Sequence, residues 1–163
     1  MKETRFKQTE IGEIPEDWEV KKIGDICITS SGGTPSRNNK LYYVGNIKWF
    51  TTSELKDCEL EDSIEHISEE ALNNSSAKIF QQNTLLMAMY GATIGRLGIL
   101  KMPAATNQAC CAIASKNIDI KYLYYDLLFN RERIISLGSG AGQPNISQAI
   151  VKNFIISWNR ALP

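Results

Sequence analysis

Three short apolar runs crowd into residues 84–114: "TLLMAMY", "GRLGIL" and "ACCAIA". Each is too short for an ordinary helix and is bounded by turn formers, so together they predict buried strands joined by tight turns. That commits the middle of the chain to a sheet core. Between the first two runs lies "YGATIG", residues 90–95. Gly91 and Gly95 have access to backbone conformations closed to other residues, which reads as a tight connection between strands. A phosphate-gripping loop is the competing reading, and the spacing opposes it. A Walker loop encloses four residues between glycines and continues Gly-Lys-Ser/Thr. Here Gly91 and Gly95 enclose three, and Leu97 follows Arg96.

The period then changes. In "IDIKYLYYDLLFNRERIISLG" apolar residues fall at 120, 123, 124, 127, 128, 134, 135 and 137, which predicts a helix ending at Gly138 as its C-cap. Asn145 with Gln148 three residues on resembles a capping box opening a second, short helix, and "NFIIS" closes as a strand. Upstream, residues 1–17 form a polar lead-in, after which Trp18 can anchor the chain on a core. "WEVKKIG" and "NIKWF" are short strand candidates, and "SSGGTPSRNN", residues 30–39, is dense enough in turn formers to be a loop. Ser68 before Glu69 and Glu70 predicts the N-cap of a short helix. At 163 residues the chain suits one domain.

No apolar run reaches the roughly 18 residues of a membrane span. The polar start "MKETRFKQTE" predicts no secretory leader. Cys27, Cys58, Cys110 and Cys111 lack metal-like pair spacing, and the adjacent pair should point to opposite faces of a strand. A reduced, cytoplasmic protein is the simplest expectation. The formal net charge is zero, but it is sorted along the chain. Residues 1–82 hold 10 basic and 15 acidic side chains, and residues 83–163 hold 8 and 3. Residues 20–53 carry a net +4, and residues 54–70 a net −7. Such sorting fits a basic face and an acidic back, or simply a solvated charged surface.

Motifs for catalysis are missing. "GSGAGQ" follows a helix rather than a strand and brings its third glycine one residue early for a dinucleotide fingerprint. There is no Asn/Asp-Pro-Pro-aromatic methyltransferase signature, no Gly-x-Ser-x-Gly and a single histidine, His66. Glu19-Val20-Lys21 is a nuclease-like fragment with no well-placed acid before it. The carboxylates of 54–70 suit an acidic solvated loop better than a metal site. The reading therefore calls for no enzyme, no cofactor and no metal. What remains are glycine- and amide-rich loops, whose hydroxyls and backbone amides can grip phosphate while Arg, Asn and Gln read base edges. The candidates are Thr34, Ser36, Arg37, Asn38 and Lys40 in the first loop, with Lys48 on the strand after it. Tyr90, Thr93 and Arg96 belong to the second loop, Asn107 and Gln108 to "ATNQA", and Gln143 and Asn145 to the last. Each alone is also an ordinary turn former, cap or solvated side chain.

Six segments now bring a family into view: "GEIPEDWEVKKIGDICITSSGGTPS", "GNIKWFTTSELKD", "ISEEALNNSSAKIF", "LLMAMYGATIGRLGIL", "ATNQACCAI" and "GQPNISQAIVKNFII". In this order and spacing, across about residues 11–156, they resemble the target-recognition domain of the specificity subunit of type I restriction–modification enzymes. The resemblance implies an α+β fold, with an irregular barrel-like mixed sheet and helices packed toward the C-terminal end. It implies one recognition domain over residues 18–157, reading a half-site of double-stranded DNA. Methylation and cleavage would be carried by methyltransferase and translocase-nuclease subunits. Family members continue into a helical spacer, whereas residues 158–163 read "WNRALP" here. The expectation is a recognition domain without its spacer, monomeric or weakly dimeric alone. A protein-interaction or decoy module that engages the restriction complex without reading DNA is the alternative, with a small nuclease third.

Overall fold

A computed structural model describes residues 5–138, 142 and 144–159 of the chain. It opens with a hairpin, β1 (Phe6–Thr9) and β2 (Gly12–Pro15), closed by Gly12 at φ +105°. The polar lead-in is thus an ordered element, and Ile14 is its buried residue. Next come β3 (Glu19–Lys22), α1 (Ile23–Ile26) and β4 (Ile28–Ser31). The loop expected over 30–39 therefore begins at Gly32, because Ser30 and Ser31 pair with Ala112 and Cys111. A 3-10 turn, Lys40–Tyr43, leads to β5 (Ile47–Phe50), then β6 (Cys58–Leu60) and β7 (Glu65–Ile67). The helix α2 (Glu69–Asn73) is capped by the Ser68 hydroxyl, which accepts from the Ala71 amide at 3.1 Å, as expected.

The three apolar runs become β8 (Leu85–Ala88), β9 (Leu97–Leu100) and β11 (Cys110–Ala114), with a two-residue β10 (Ala105–Thr106) between the last two. The central sheet has the order β4-β11-β8-β9-β6, antiparallel except for the parallel β6–β9 pair. Every residue of β8 and β9 is buried, which is why those runs are apolar throughout rather than alternating. One face packs Leu85, Met87, Leu97, Cys111 and Ile113 against helical residues Leu123, Leu127, Ile134 and Val151. The other packs Leu86, Ala88, Cys110 and Ala112 against Phe50 and Leu55. Cys110 and Cys111 thus face opposite ways and are unpaired, their thiols pushed up to about 12 by burial.

A second sheet, β10-β5-β7, encloses Trp49, Ile67, Ala71, Ala77 and Ala105. After β9 the chain leaves the central sheet, and β10 joins β5 in parallel. The strands consequently form several separate sheets, and the expected barrel-like sheet does not close.

The single helix expected over 120–137 is two: α3 (Ile120–Phe129) and α4 (Arg131–Ser136). Asn130 breaks it, its side-chain amide donating to Asp126 O at 2.9 Å. The apolar period survives the break because Ile134 still reaches the core. Gly138 is not a left-handed cap, since its φ is not positive, unlike those of Gly91 and Gly95. A Cβ at Gly138 would lie 2.8 Å from Asn145 O, so close chain approach explains the glycine. The last helix, α5 (Gln148–Asn153), is capped by Ser147, not Asn145. Gln148 is no capping-box partner either: its amide donates to Thr29 O at 2.9 Å and accepts from Ser31 Oγ at 3.0 Å, tying α5 to β4. Finally β12 (Ile155–Trp158) pairs with β3, and Trp18 stacks edge-on against Tyr122.

Candidate nucleic-acid interface

The loop 32–39 is held to the scaffold at its base. The Gly33 amide donates to Thr106 O at 2.9 Å, and the Trp49 indole donates to Gly33 O at 2.9 Å. A Cβ at Gly32 or Gly33 would strike backbone atoms of 106–107 or 76–77, so only glycine permits this approach. Farther out, the Tyr43 hydroxyl donates to Pro35 O at 2.7 Å, and Thr34 hydrogen-bonds Gln108. Ser36, Arg37, Asn38 and Lys40 are exposed at the tip. Arg37 forms a fork on Glu65, with Nη1–Oε1 at 2.5 Å and Nη2–Oε2 at 2.8 Å. Its guanidinium lies 4.0 Å from the Tyr43 ring centroid and 5.1 Å from that of Trp49. The hydrogen bonds from Arg37 hold the Glu65 carboxyl below the usual range.

Backbone contacts bring the other loops alongside. Met89 accepts from the Ile146 amide at 3.0 Å, while its own amide donates to Ala109 O at 2.9 Å. Exposed Asn145, Tyr90 and Gln108 therefore lie on adjoining segments, with Thr34 against Gln108. Asn107 is less available: its amide donates to Phe50 O at 2.9 Å, and its Oδ1 is buried without a partner among the described residues. Gln143 lies outside the described residues.

Two basic candidates stand apart from the Arg37 loop. Lys48 pairs in register with His66, whereas its neighbour Trp49 pairs with Glu65, so Lys48 projects from the opposite sheet face to Arg37. Its Nζ lies 2.6 Å from Asp62 Oδ1. Arg96 follows the "YGATIG" turn, which is a 3-10 turn over Gly91–Thr93 flanked by Gly91 at φ +72° and Gly95 at φ +76°. Thr93 lies half-buried within that turn. The Ala88 amide donates to Arg96 O at 2.9 Å, and the Gly95 amide donates to Ala88 O at 2.8 Å, so the stretch is a strand connection as read. The Arg96 guanidinium pairs with Asp57 at 2.5 Å, and Arg131 pairs with the same carboxylate. Burial opposes the charge on Asp57, but hydrogen bonds from Arg96, the Leu97 amide and Arg131 outweigh it and lower its pKa.

Of the two readings of the sorted charge, these pairs favour a solvated charged surface over a basic face with an acidic back. Glu65, Asp62, Asp57 and Glu59 bind Arg37, Lys48, Arg96 and Lys101 respectively. The acidic stretch is interleaved with the basic segments, because opposite charges separated in sequence meet when β6 and β7 join the sheets. Sequence reading missed Glu65 and Tyr43, which fix Arg37. The available signal was an aromatic pair, Tyr42-Tyr43, just after a basic loop.

Comparison with known proteins agrees with this architecture. Residues 15–158 match the type I restriction modification DNA specificity domain. The chain is 36% identical over 164 aligned residues to the type I restriction enzyme MjaIX specificity subunit of Methanocaldococcus jannaschii, covering 96% of this chain and 37% of that protein. It is 30% identical to the EcoR124I/EcoR124II specificity subunit of Escherichia coli, over 74% of this chain and 29% of that one. It thus spans 37% and 29% of the length of these two relatives. In structure it is similar to the HsdS subunit of Thermoanaerobacter tengcongensis, with a TM-score of 0.71 at 14% identity, covering 94% of this chain and 36% of that one. The chain belongs to the family of type I restriction modification DNA specificity domains.

Proposed function

We propose that the chain reads one half-site of duplex DNA, sequence-specifically and without catalysis, for a type I restriction–modification complex. Methylation and cleavage are then the work of methyltransferase and translocase-nuclease partner subunits. The observation that carries this reading is the group of exposed donors and acceptors Asn145, Tyr90, Gln108, Ser36, Asn38 and Arg37, with half-buried Thr34 against Gln108, on loops hydrogen-bonded to the strands. Sites on loops held by such a scaffold can present several base-reading groups at once. Reading about three or four base pairs at about 1–3 kcal/mol each gives useful discrimination with modest affinity. The chain alone is a monomer or weak dimer. Among the described residues no helix is long and apolar enough to cross a membrane.

Selection from a random duplex pool tests the reading: a recurring short sequence is expected, and a pool left random overturns it. The second reading, a module that engages the complex without touching DNA, gains from one observation. Of the four basic candidates, Arg37, Lys48 and Arg96 already carry carboxylates, and only Lys40 has no ion pair among the described residues. Salt decides between them, since a DNA reader must lose affinity steeply as salt rises.

A further inference from the structure

Arg37 has two hydrogen-bonding edges, and Glu65 occupies one of them. Nη1 and Nη2 donate to separate oxygens of Glu65 at 2.5 and 2.8 Å, whereas Nε donates to nothing among the described residues. The plane is set a second time by the Tyr43 ring, 4.0 Å from the guanidinium. Both supports are themselves fixed. Tyr43 is tied to Pro35 O, and Glu65 is the register partner of buried Trp49. Yet the Arg37 side chain keeps 53% of its surface exposed. An ordinary surface arginine is mobile and attracts any phosphate. This one is held still and already compensated.

We propose that Glu65 is a specificity-determining positioning residue, which turns Arg37 from a general phosphate anchor into a reader of guanine edges through its remaining Nε edge. The inference rests on the duplex-DNA reading of this face and deepens it. Guanine N7 and O6 accept two parallel N–H groups, and the Nε–Nη edge of a guanidinium supplies such a pair. A phosphate is drawn to arginine chiefly by charge. Glu65 offsets that charge and repels the phosphate directly. Guanine acceptors carry no net charge, so they lose far less to Glu65 and gain from the fixed plane.

The preferred duplex comes from selection with the wild-type protein. Selected and scrambled duplexes are then titrated over a salt series with wild type, Glu65→Gln, Arg37→Ala and the double variant. Glu65→Gln is expected to bind the scrambled duplex more tightly, with a salt slope steeper by about 0.9. It is expected to lose about tenfold of the selected-to-scrambled affinity ratio. In the Arg37→Ala background Glu65→Gln should leave the selected-to-scrambled ratio unchanged, since only the direct repulsion of phosphate is then relieved. Equal tightening on both duplexes would make Glu65 a simple competitor for the cation and overturn the proposal. An unchanged ratio in the single variant, or a change of ratio that persists without Arg37, would overturn it too. If Glu65→Gln does not fold, Glu65→Ala replaces it, removing the carboxylate and its fork on Arg37 while leaving Tyr43 in place. A reduced ratio then supports the proposal and an unchanged one refutes it. A folded wild type that enriches no sequence sinks the DNA reading and this inference with it, a result distinct from every variant outcome.

Discussion

Arg96 Nη1 lies 2.5 Å from Asp57 Oδ2, and the other oxygen of that carboxylate takes Arg131. One acid therefore joins the turn after β8 to the start of α4. Asp57 is 16% exposed in its side chain and Arg131 19%, so this half of the network is nearly out of water, while Arg96 at 51% is its open end. Asp57 sits at φ +59°, a conformation Asn also tolerates. Asp57→Asn therefore removes the charge without straining the backbone. Leaving two arginines uncompensated should cost about 2 kcal/mol, less than a fully buried pair because water still reaches Arg96. Urea denaturation measures it, and an unshifted midpoint would show that the network contributes nothing to stability.

The two glycines of the same turn should differ. A Cβ on Gly91 meets nothing within 4 Å, so Gly91→Ala carries only the left-handed backbone cost, about 1–2 kcal/mol. Gly95 has the same backbone need, and its Cβ would also stand 3.0 Å from Arg131 Cγ and 3.1 Å from Ile135 Cδ1. Crowding α4 adds about 1–3 kcal/mol. Equal losses in the two alanine variants, compared by thermal or urea melts, would mean that α4 yields freely.

The strands were legible wherever burial on both faces left an unbroken apolar run, as at Leu85–Ala88, or where a local device marked a start, as at Ser68. What sequence hid was long-range. Gly138 looks like a cap until the carbonyl of Asn145 is seen against it. Asn130 breaks a helix whose apolar period runs straight through, because Ile134 keeps its place in the core. Gln148 looked like a capping-box partner, and its true partners, Thr29 and Ser31, are more than a hundred residues away. At the candidate site the loops were visible from their turn formers. The pairing of Arg37 with Glu65 was not, because counting charge along a chain says nothing of which charges meet.

Stability should respond to pH with two opposing signs. Burial pushes the Asp126 carboxyl up to about 6, against Arg133 and Asn130, which lower it. A raised carboxylate is destabilising when ionised. Its cost is absent below the ordinary value near 3.8 and grows until pH passes about 6. The depressed Asp57 works the other way, stabilising above its ordinary value and losing that stabilisation as pH falls through its lower folded value. Asp126→Asn should therefore raise stability at pH 7, on the order of 1 kcal/mol after allowance for partial solvent screening, and leave it little changed at pH 4. Equal gains at both pH values would show that charge is not the cause.

Arg37 and Arg96 look alike in sequence, each basic at a loop end, and the structure separates them. Arg37 is stacked on Tyr43 with its Nε edge uncommitted, in the same loop as Thr34, Ser36 and Asn38. Arg96 belongs to the Asp57 network beside α4. If Arg37 reads a base, Arg37→Ala should cost about 1–3 kcal/mol on the preferred duplex and relax the preference at one position. Arg96→Ala should leave sequence preference unchanged and cost at most about 1 kcal/mol of stability, since its pair is half-exposed. The comparison needs two measurements on each variant: selection from a random pool, which reports preference, and a urea melt, which reports folding. A preference lost with Arg96 and kept without Arg37 would move the interface to the α4 side of the molecule.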